Sequence, residues 1–485
     1  MTTANRASAR LDGTKRGAGP REHDRIRRRL PSRSAIAILT LSVATPAVRA
    51  NTFTVTTTAD SGAGSLRKAI QDANARSGTD TIDFNLSGTG PFVIKPATRL
   101  PTLTGKVTLD ATTQPGWIAA PLVEIDGSQL SGTDGLAVAA SGTTIRGLAI
   151  HSFDAGIAVS SSSVVVEDCW IGLDAFGASS RPNDEGIYIG ATGARIARNV
   201  ICSSVNHGVW VLASNATIED NVIGLDPTGT FAIGSRDGIS FALGVDNGLA
   251  RRNVIAGNRQ HGVIVTDGGT SNHSILDNWI GTGSDLVTPI GNGAHGIHVI
   301  NGDSSLIQGN VITANGSAGI RVELNNGSST QARKNRITLN SISRNGGMGI
   351  DIGPAWTNGI DALDADTGAN ELQNAPRLLR AVNDPRGLHL WGELHSLPAT
   401  TFQIEIFGCT TADAEGEVLL ATFPLTTNAA GDASFYSLLA SWPFGLPVSA
   451  TATDPAGNTS EFGSVYVLPP PSRDLNPGGP PVEKK

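Results

Sequence analysis

A four-residue pattern recurs eight times through the middle of the chain: a glycine, an aliphatic residue, a variable residue, and a second aliphatic residue or phenylalanine. The apolar positions alternate with a period of two, which is typical of a short β-strand that buries one face. Such a strand cannot bury its apolar face alone, whereas stacked copies enclose a continuous core, so the pattern predicts a β-solenoid. The pattern begins at Gly156, Gly186, Gly208, Gly238, Gly262, Gly296, Gly319 and Gly349.

A second phrase, ending in isoleucine, precedes these glycines and predicts another strand in each coil. One position in this phrase is repeatedly asparagine, and Cys169 takes that position in the first copy. Amides that stack in register can hydrogen-bond along a solenoid axis, so this column is predicted to be structural. Its asparagines are Asn199, Asn221, Asn253, Asn278 and Asn310.

The spacing between the two phrases alternates between short and long turns. The glycine follows the isoleucine by seven positions in some coils and by 15 or 16 positions in the coils between. Every second coil is therefore expected to extend a long loop at one corner, and insertions on one face of a repeat protein often mark its binding side. The three loops are 172–185, 224–237 and 281–295.

Different patterns flank the repeats. Ser65 precedes a short amphipathic helix, which predicts an N-terminal cap and first strands over 51–105. Longer alternating strands over 375–468 predict an Ig-like β-sandwich, and the tail 469–485 is rich in proline and glycine and is predicted to be disordered. The predicted fold is therefore all-β: a right-handed parallel β-helix over 106–374, with a capping helix before it and a sandwich after it.

The first 50 residues have a composition of their own. They carry 11 lysines and arginines against 3 acidic residues, followed by a short apolar run and a small-residue cleavage site, which together predict a secretory signal. Its removal leaves 25 basic and 40 acidic residues, a net charge near −15. Nucleic acid is then not expected as a partner. We also expect no membrane span, no disulfide framework from three cysteines, and a monomer.

Several stretches resemble bacterial secreted proteins with a right-handed parallel β-helix. The resemblance is carried by a Ser-Leu-Arg helix motif at Ser65 and by the segments 100–105, 112–116, 223–230, 364–368 and 453–460. The wider class is similar to pectate lyases, polygalacturonases and alginate epimerases, which implies carbohydrate as the ligand class by analogy.

The variable residue of each repeat should face outward and stack on its equivalents about 4.8 Å away in the next coil. Tyr188 and Trp210 are neighbours in this column, and flat rings suit the apolar face of a sugar. Together with His298 and Arg321 they are the predicted ligand-binding residues. The alternative is that the two rings only stabilise each other across the strands.

The residue before each repeat glycine forms a second column with consecutive titratable groups. Stacked charges perturb each other's pKa values, as catalytic groups often require, so His207, Asp237, His261 and His295, with Arg321, are catalytic candidates. Polar residues are also common in such turns for backbone reasons, and this structural interpretation is the favoured one.

A cation site is the one cofactor hypothesis. Asp361, Asp364, Asp366 and Asn370 offer oxygen ligands at short spacing, which suits Ca²⁺. An acidic turn at a domain junction is the alternative.

Three functions remain open. The first is a secreted or cell-surface protein that binds extracellular polysaccharide along the outward column. The second is a polysaccharide lyase or glycoside hydrolase acting on an acidic polysaccharide. The third is a structural spacer whose C-terminal domain contacts a protein partner.

Overall fold

The computed structural model describes residues 50–325, 332–353, 358–410 and 415–469. Almost all of the predicted signal segment and tail lie outside the described residues, so both remain predictions. Three long parallel sheets run through the chain up to Ile352, and each strand pairs with its equivalent in the next coil. The protein is a right-handed parallel β-helix, as predicted.

The three sheets are named here in the order in which a coil passes through them. Sheet 1 has eleven described strands: Thr52–Val55, Asp80–Phe84, Val107–Asp110, Thr144–Arg146, Val165–Glu167, Arg195–Ala197, Thr217–Glu219, Leu249–Arg251, Ser274–Leu276, Leu306–Gln308 and Arg336–Thr338. Sheet 2 has ten: Phe92–Ile94, Val123–Asp126, Leu148–His151, Trp170–Ile171, Val200–Ile201, Val222–Ile223, Val254–Ile255, Trp279–Ile280, Val311–Thr313 and Ser341–Ser343. Sheet 3 has nine: Leu136–Val138, Ala155–Val159, Glu185–Ile189, His207–Val211, Asp237–Phe241, Val263–Val265, Ile297–Ile300, Ile320–Glu323 and Ile350–Ile352.

In each strand the inward-facing positions, which are mostly aliphatic, point into a single core that extends along the solenoid. Ile187 pairs with Ile157 on one side and Val209 on the other, and all three are fully buried. Burying a side chain of this size contributes about 1.5–3 kcal/mol relative to leaving it exposed. The core is therefore a stack of similar layers, and each layer is stabilised mainly by its two neighbours.

A short helix, Leu66–Asn74, covers the first coil. The Ser65 hydroxyl accepts a hydrogen bond from the Lys68 N–H and caps the helix, while Leu66, Ala69 and Ile70 are buried on the face toward the core. The cap predicted from the sequence is therefore present. Three short 3₁₀ segments complete the described helices: Ala111–Thr113, Ala362–Asp364 and Ala369–Leu372.

The predicted asparagine column is confirmed as a buried ladder. In each of its steps the side-chain N–H of one asparagine donates to the side-chain oxygen of the next, as from Asn199 to Asn221 at 3.0 Å. The N–H of buried Cys169 joins the top of the ladder by donating to Asn199 at 2.9 Å. A second ladder, which the repeat pattern did not predict, runs through Asn258, Asn292, Asn315 and Asn345.

The C-terminal region is a β-sandwich with one core of its own, drawn from two antiparallel sheets. Its first sheet contains Arg377–Asp384, Gly387–His395 and Asp432–Leu439. Its second contains Thr401–Gly408, Val418–Thr426, Pro447–Thr453 and Tyr466–Val467. The sandwich itself was predicted, and its Ig-like character remains a prediction.

The sandwich closes the open end of the solenoid. Buried Glu405 accepts a hydrogen bond from the Leu339 N–H at 3.1 Å, beside the last strand of sheet 1. Glu461 accepts a hydrogen bond from the Ile352 N–H, in the last strand of sheet 3, at 3.2 Å. Glu415 accepts from the Asn345 N–H and amide, and so ends the second asparagine ladder. Backbone donors that lack a following coil therefore find carboxylate acceptors.

Candidate functional site

The outward column of sheet 3 is in register along the solenoid. Tyr188 pairs with Trp210, and the pairing continues coil by coil to His298 and Arg321, with Arg321 beside Asp351. We call this column, the turn column beside it and two adjacent charged residues the sheet-3 strip. It comprises Tyr188, Trp210, Ser240, Ile264, His298, Arg321 and Asp351; Glu185, His207, Asp237, His261 and His295; and Arg236 and Glu323.

Aromatic rings form one end of the strip. Tyr188 and Trp210 meet edge to face with centroids 5.6 Å apart, and the His207 ring stacks beside Trp210 at 5.5 Å. Both large rings are half-buried. A Cβ added at Gly190 would lie 2.7 Å from a ring carbon of Tyr188, so the tyrosine ring lies over this glycine. Tyr188 and Trp210 therefore form an aromatic platform, with His207 beside Trp210 and Gly190 beneath Tyr188.

Charged side chains form the other end. Arg321 donates to Glu323 at 2.8 Å and also to Asp351, and His298 contacts Glu323 at 3.0 Å. The hydrogen bond from His298, with help from Arg321, lowers the pKa of Glu323 to about 2. Nδ1 of His298 and Oδ1 of Asp351 are buried and have no hydrogen-bond partner among the described residues. The His298 side chain is 9% exposed and the Asp351 side chain 11% exposed.

The turn column acts as a chain of acceptors for the backbone. The His207 N–H donates to Glu185 at 3.0 Å, and the His261 N–H donates to Asp237 at 3.1 Å. Nδ1 of His261 accepts from the His295 N–H at 3.4 Å, and Nδ1 of His295 accepts from the next coil at 3.1 Å. These contacts explain why polar residues recur before the repeat glycine.

The two stacked imidazoles are held uncharged. The rings of His261 and His295 are parallel within 1° and 5.4 Å apart, and His298 lies 4.8 Å from each. Burial, followed by the charge of His298, lowers the pKa of both rings, to about 3 for His295. Since each Nδ1 accepts a backbone hydrogen, the proton of each neutral ring is assigned to Nε2. A metal ion bound at Nε2 would require the ring proton to move to Nδ1. There it would point at the backbone N–H from which Nδ1 accepts a hydrogen bond.

The remaining catalytic candidates also have structural contacts. His207 lies between Glu185 at 3.0 Å and Asp237 at 3.7 Å, and Arg236 donates to both His207 and Asp237. The Asp237 side chain is only 2% exposed. A general acid or base must reach a substrate proton. The structure brings His207 and Asp237 together, but the Asp237 side chain lies beneath His207 and Arg236, where a substrate proton is out of its reach.

The three predicted long loops are small hairpins that stack on one another. Each is closed by an isolated antiparallel bridge, such as that between Leu225 and Ala232. The Ser284 N–H of the third hairpin donates to the Gly229 carbonyl of the second at 3.0 Å. They precede the strands of sheet 3 and so form a wall at that corner, with Phe231 70% exposed on the second hairpin.

The acidic turn is only partly as predicted. Carboxylate oxygens of Asp361, Asp364 and Asp366 lie within 4.8 Å of one another, and burial raises the pKa of Asp364 to about 6. Asn370 does not share this arrangement: its side-chain oxygen accepts from the Asn335 N–H at 3.0 Å and its amide donates to two carbonyls. Asn370 is thus paired with the buried Asn335 and does not face the aspartates. Calcium binding by the three aspartates remains a prediction.

Sequence reasoning missed a second cluster, Glu124, Asp126 and His151, on sheet 2. His151 contacts Glu124 at 3.0 Å, and Lys95 pairs with Asp126 at 2.7 Å. The Ala175 N–H of the first hairpin donates to Glu124 at 2.9 Å. These residues lie outside the repeated phrases, so no periodic signal connected them. Their contacts anchor the first hairpin to the solenoid.

The fold and the strip define a parallel β-helix with an aromatic and imidazole surface along one sheet. Residues 117–280 match the family model described as "right handed beta helix region". No curated protein sequence matches the chain. Among the described residues, no helix has the length and apolar character needed to span a membrane.

Solved structures similar to this chain include the Dettilon tailspike protein, at 13% identity and a TM-score of 0.31 over 78% of this chain and 88% of that one. The periplasmic alginate epimerase AlgG double mutant has 14% identity and a TM-score of 0.31, over 57% and 70% of the two chains. Pectate lyase Pel9A has 15% identity and a TM-score of 0.26, over 62% and 80%.

Proposed function

We propose that this protein binds an extracellular polysaccharide along the sheet-3 strip. The observation that carries the proposal is the platform of Tyr188 and Trp210, two half-buried rings whose polar ends have no hydrogen-bond partner among the described residues. Rings of this kind combine a large apolar surface with a hydrogen-bonding group. A pyranose presents the complementary surface, with an apolar face and a rim of hydroxyls.

The linear arrangement of the strip supports a polymer rather than a single sugar. Equivalent residues of neighbouring coils are about 4.8 Å apart, so the five strand steps from Tyr188 to Arg321 extend about 24 Å along the solenoid. The aromatic platform lies toward one end, and the hydrogen-bonding groups of His261, His295 and Arg321 lie toward the other. An extended glycan chain can meet both ends at once.

Binding is favoured over cleavage by the state of the carboxylates. A glycosidase requires an acid and a second carboxylate that reach the scissile bond. All four carboxylates of the strip are held by neighbouring groups. Asp237 is held by Arg236 and a backbone N–H, and Asp351 by Arg321. Glu185 is held by His207, and Glu323 by Arg321 and His298. The spacer function is not favoured, because Glu405, Glu415 and Glu461 make the sandwich part of the solenoid end.

The test is the binding of soluble polysaccharides by Trp210→Ala. We expect its dissociation constant to rise at least tenfold, which corresponds to about 1.4 kcal/mol. The matched control is Trp279→Ala, which removes a tryptophan from sheet 2 instead. Titration calorimetry and affinity electrophoresis on a panel of polymers give the measurement. Unchanged binding by Trp210→Ala, or an equal loss in the control, would reject the strip as the binding site.

A further inference from the structure

We propose that the glycan taken by the sheet-3 strip is uncharged and that polyanionic chains are discriminated against. This inference rests on the polysaccharide-binding function proposed above and specifies its ligand class. It is carried by the internal pairing of the charges on the strip and by the kind of hydrogen-bonding atoms that are left over.

The two arginines of the strip are already neutralised. Arg321 is bound by Glu323 and Asp351, and its side chain is only 22% exposed. Arg236 pairs with Asp237 at 3.0 Å and donates to His207 at 2.7 Å. Proteins recognise carboxylates most effectively with a guanidinium that offers two parallel N–H groups. A uronate would first have to displace the partners that these arginines already have.

The total charge leads to the same conclusion. The strip contains four carboxylates and two guanidiniums. Even if His207 and His298 were both protonated, the sum would reach zero and not become positive. His261 and His295 add no charge at neutral pH, because burial lowers the pKa of both rings. A polyanion therefore meets a neutral or negative surface, which costs rather than contributes binding free energy.

The groups that remain are suited to hydroxyls. The neutral rings of His261 and His295 have Nε2–H donors that no described residue takes up, whereas the unpartnered Nδ1 of His298 and Oδ1 of Asp351 are fully buried behind the surface. A neutral N–H donor binds a sugar hydroxyl or ring oxygen without requiring a charge on the ligand, and it does not replace the paired guanidiniums in the recognition of a carboxylate.

The inference is tested with paired polymers of similar length: dextran and galactomannan as uncharged chains, and polygalacturonate and alginate as polyanions. The two polyanions are measured with and without Ca²⁺. All four polymers are measured at 20 mM and 150 mM salt, because the distance over which exposed charges are screened falls from roughly 20 Å to about 8 Å between these concentrations. We expect native protein to bind an uncharged chain at least tenfold more tightly than either polyanion. Trp210→Ala should lose that binding.

A charge variant sharpens the test. Asp351→Asn preserves the shape of the side chain and removes one partner charge from Arg321, so we expect the affinity for polyanions to rise severalfold at low salt. If native protein prefers a polyanion, and Trp210→Ala abolishes that binding, the uncharged-ligand inference is overturned and the binding function stands. If no polymer in the panel binds, or Trp210→Ala binds all of them normally, both proposals fail.

Discussion

Asn253 and Asn278 lie one coil apart, and the side-chain N–H of Asn253 donates to the side-chain oxygen of Asn278 at 3.0 Å. The same N–H group also donates to the Ile218 carbonyl at 2.9 Å, and the Asn253 oxygen accepts from the Asn221 backbone N–H at 3.0 Å. One buried amide therefore satisfies groups in the coil before it and in the coil after it.

Asn253→Ala is expected to destabilise the solenoid strongly. The substitution leaves the Asn221 N–H without its acceptor in a dry interior and removes one donor from the Ile218 carbonyl, and an unpaired buried group costs about 1–3 kcal/mol. We expect the free energy of unfolding in urea to fall by about 2 kcal/mol or more. Asn85→Ala, at an exposed position, is the control and should change it by less than about 0.5 kcal/mol. Equal effects would show that the ladder does not stabilise the fold.

Gly190→Ala is expected to weaken glycan binding without weakening the fold. Neighbouring coils carry Ser160 and Leu212 at the equivalent position, so the backbone there accepts a Cβ. Only the Tyr188 ring, whose Cε1 atom would be 2.7 Å from the new Cβ, requires glycine. We expect an unchanged melting temperature and a several-fold rise in the dissociation constant. Ser160→Ala is the control, and binding that survives Gly190→Ala intact would separate the position of the Tyr188 ring from ligand recognition.

The imidazole ladder should make the solenoid sensitive to acid. Burial lowers the pKa of His261 and His295 below the ordinary value of 6.5, so the stability they contribute is complete above that value and is lost as the pH falls through their folded pKa values. Nitrogen NMR should show both rings uncharged at pH 5.5, with the proton on Nε2. His395 is the internal control, since its hydrogen bond to Asp432 raises its pKa. Rings of His261 and His295 that titrate near 6.5 would contradict the assignment.

Glu461 should have the opposite pH dependence. Burial raises its pKa from 4.5 to about 7. A raised carboxyl pKa means that the folded state holds the proton more tightly, so the stabilisation is complete below pH 4.5 and declines as the pH rises through 7. Glu461→Gln stays uncharged and can still accept from the Ile352 N–H. We expect wild type to lose stability relative to this variant between pH 5 and 8; a difference that is constant with pH would contradict this.

The sheet-3 register could be predicted because it depends on a local rule. Alternation with period two decides which side chains face out, and the recurring glycine aligns one coil with the next, so the sequence alone places Tyr188 beside Trp210. The asparagine ladder followed for the same reason. Any property that repeats with the coil is visible in the sequence.

Contacts between non-repeating segments could not be predicted in this way. Glu405 and Leu339 are 66 residues apart, and no pattern connects a sandwich strand to the last coil of the solenoid. The pairing of Arg321 with both Glu323 and Asp351 depends on side-chain directions at a strand end. Asn370 was grouped with nearby aspartates by sequence distance, whereas its partner Asn335 lies 35 positions away. Proximity in sequence was misleading for Asn370 because the chain turns back there onto the end of the β-helix, where Asn335 lies.

The glutamates at the solenoid end have a consequence for self-association. An uncovered final coil would offer rows of unused N–H and carbonyl groups, which are a template for the edge strand of another molecule. By occupying those donors with Glu405, Glu415 and Glu461, the sandwich blocks end-to-end growth into fibres. A fold built from stackable layers is in this way kept to a finite length.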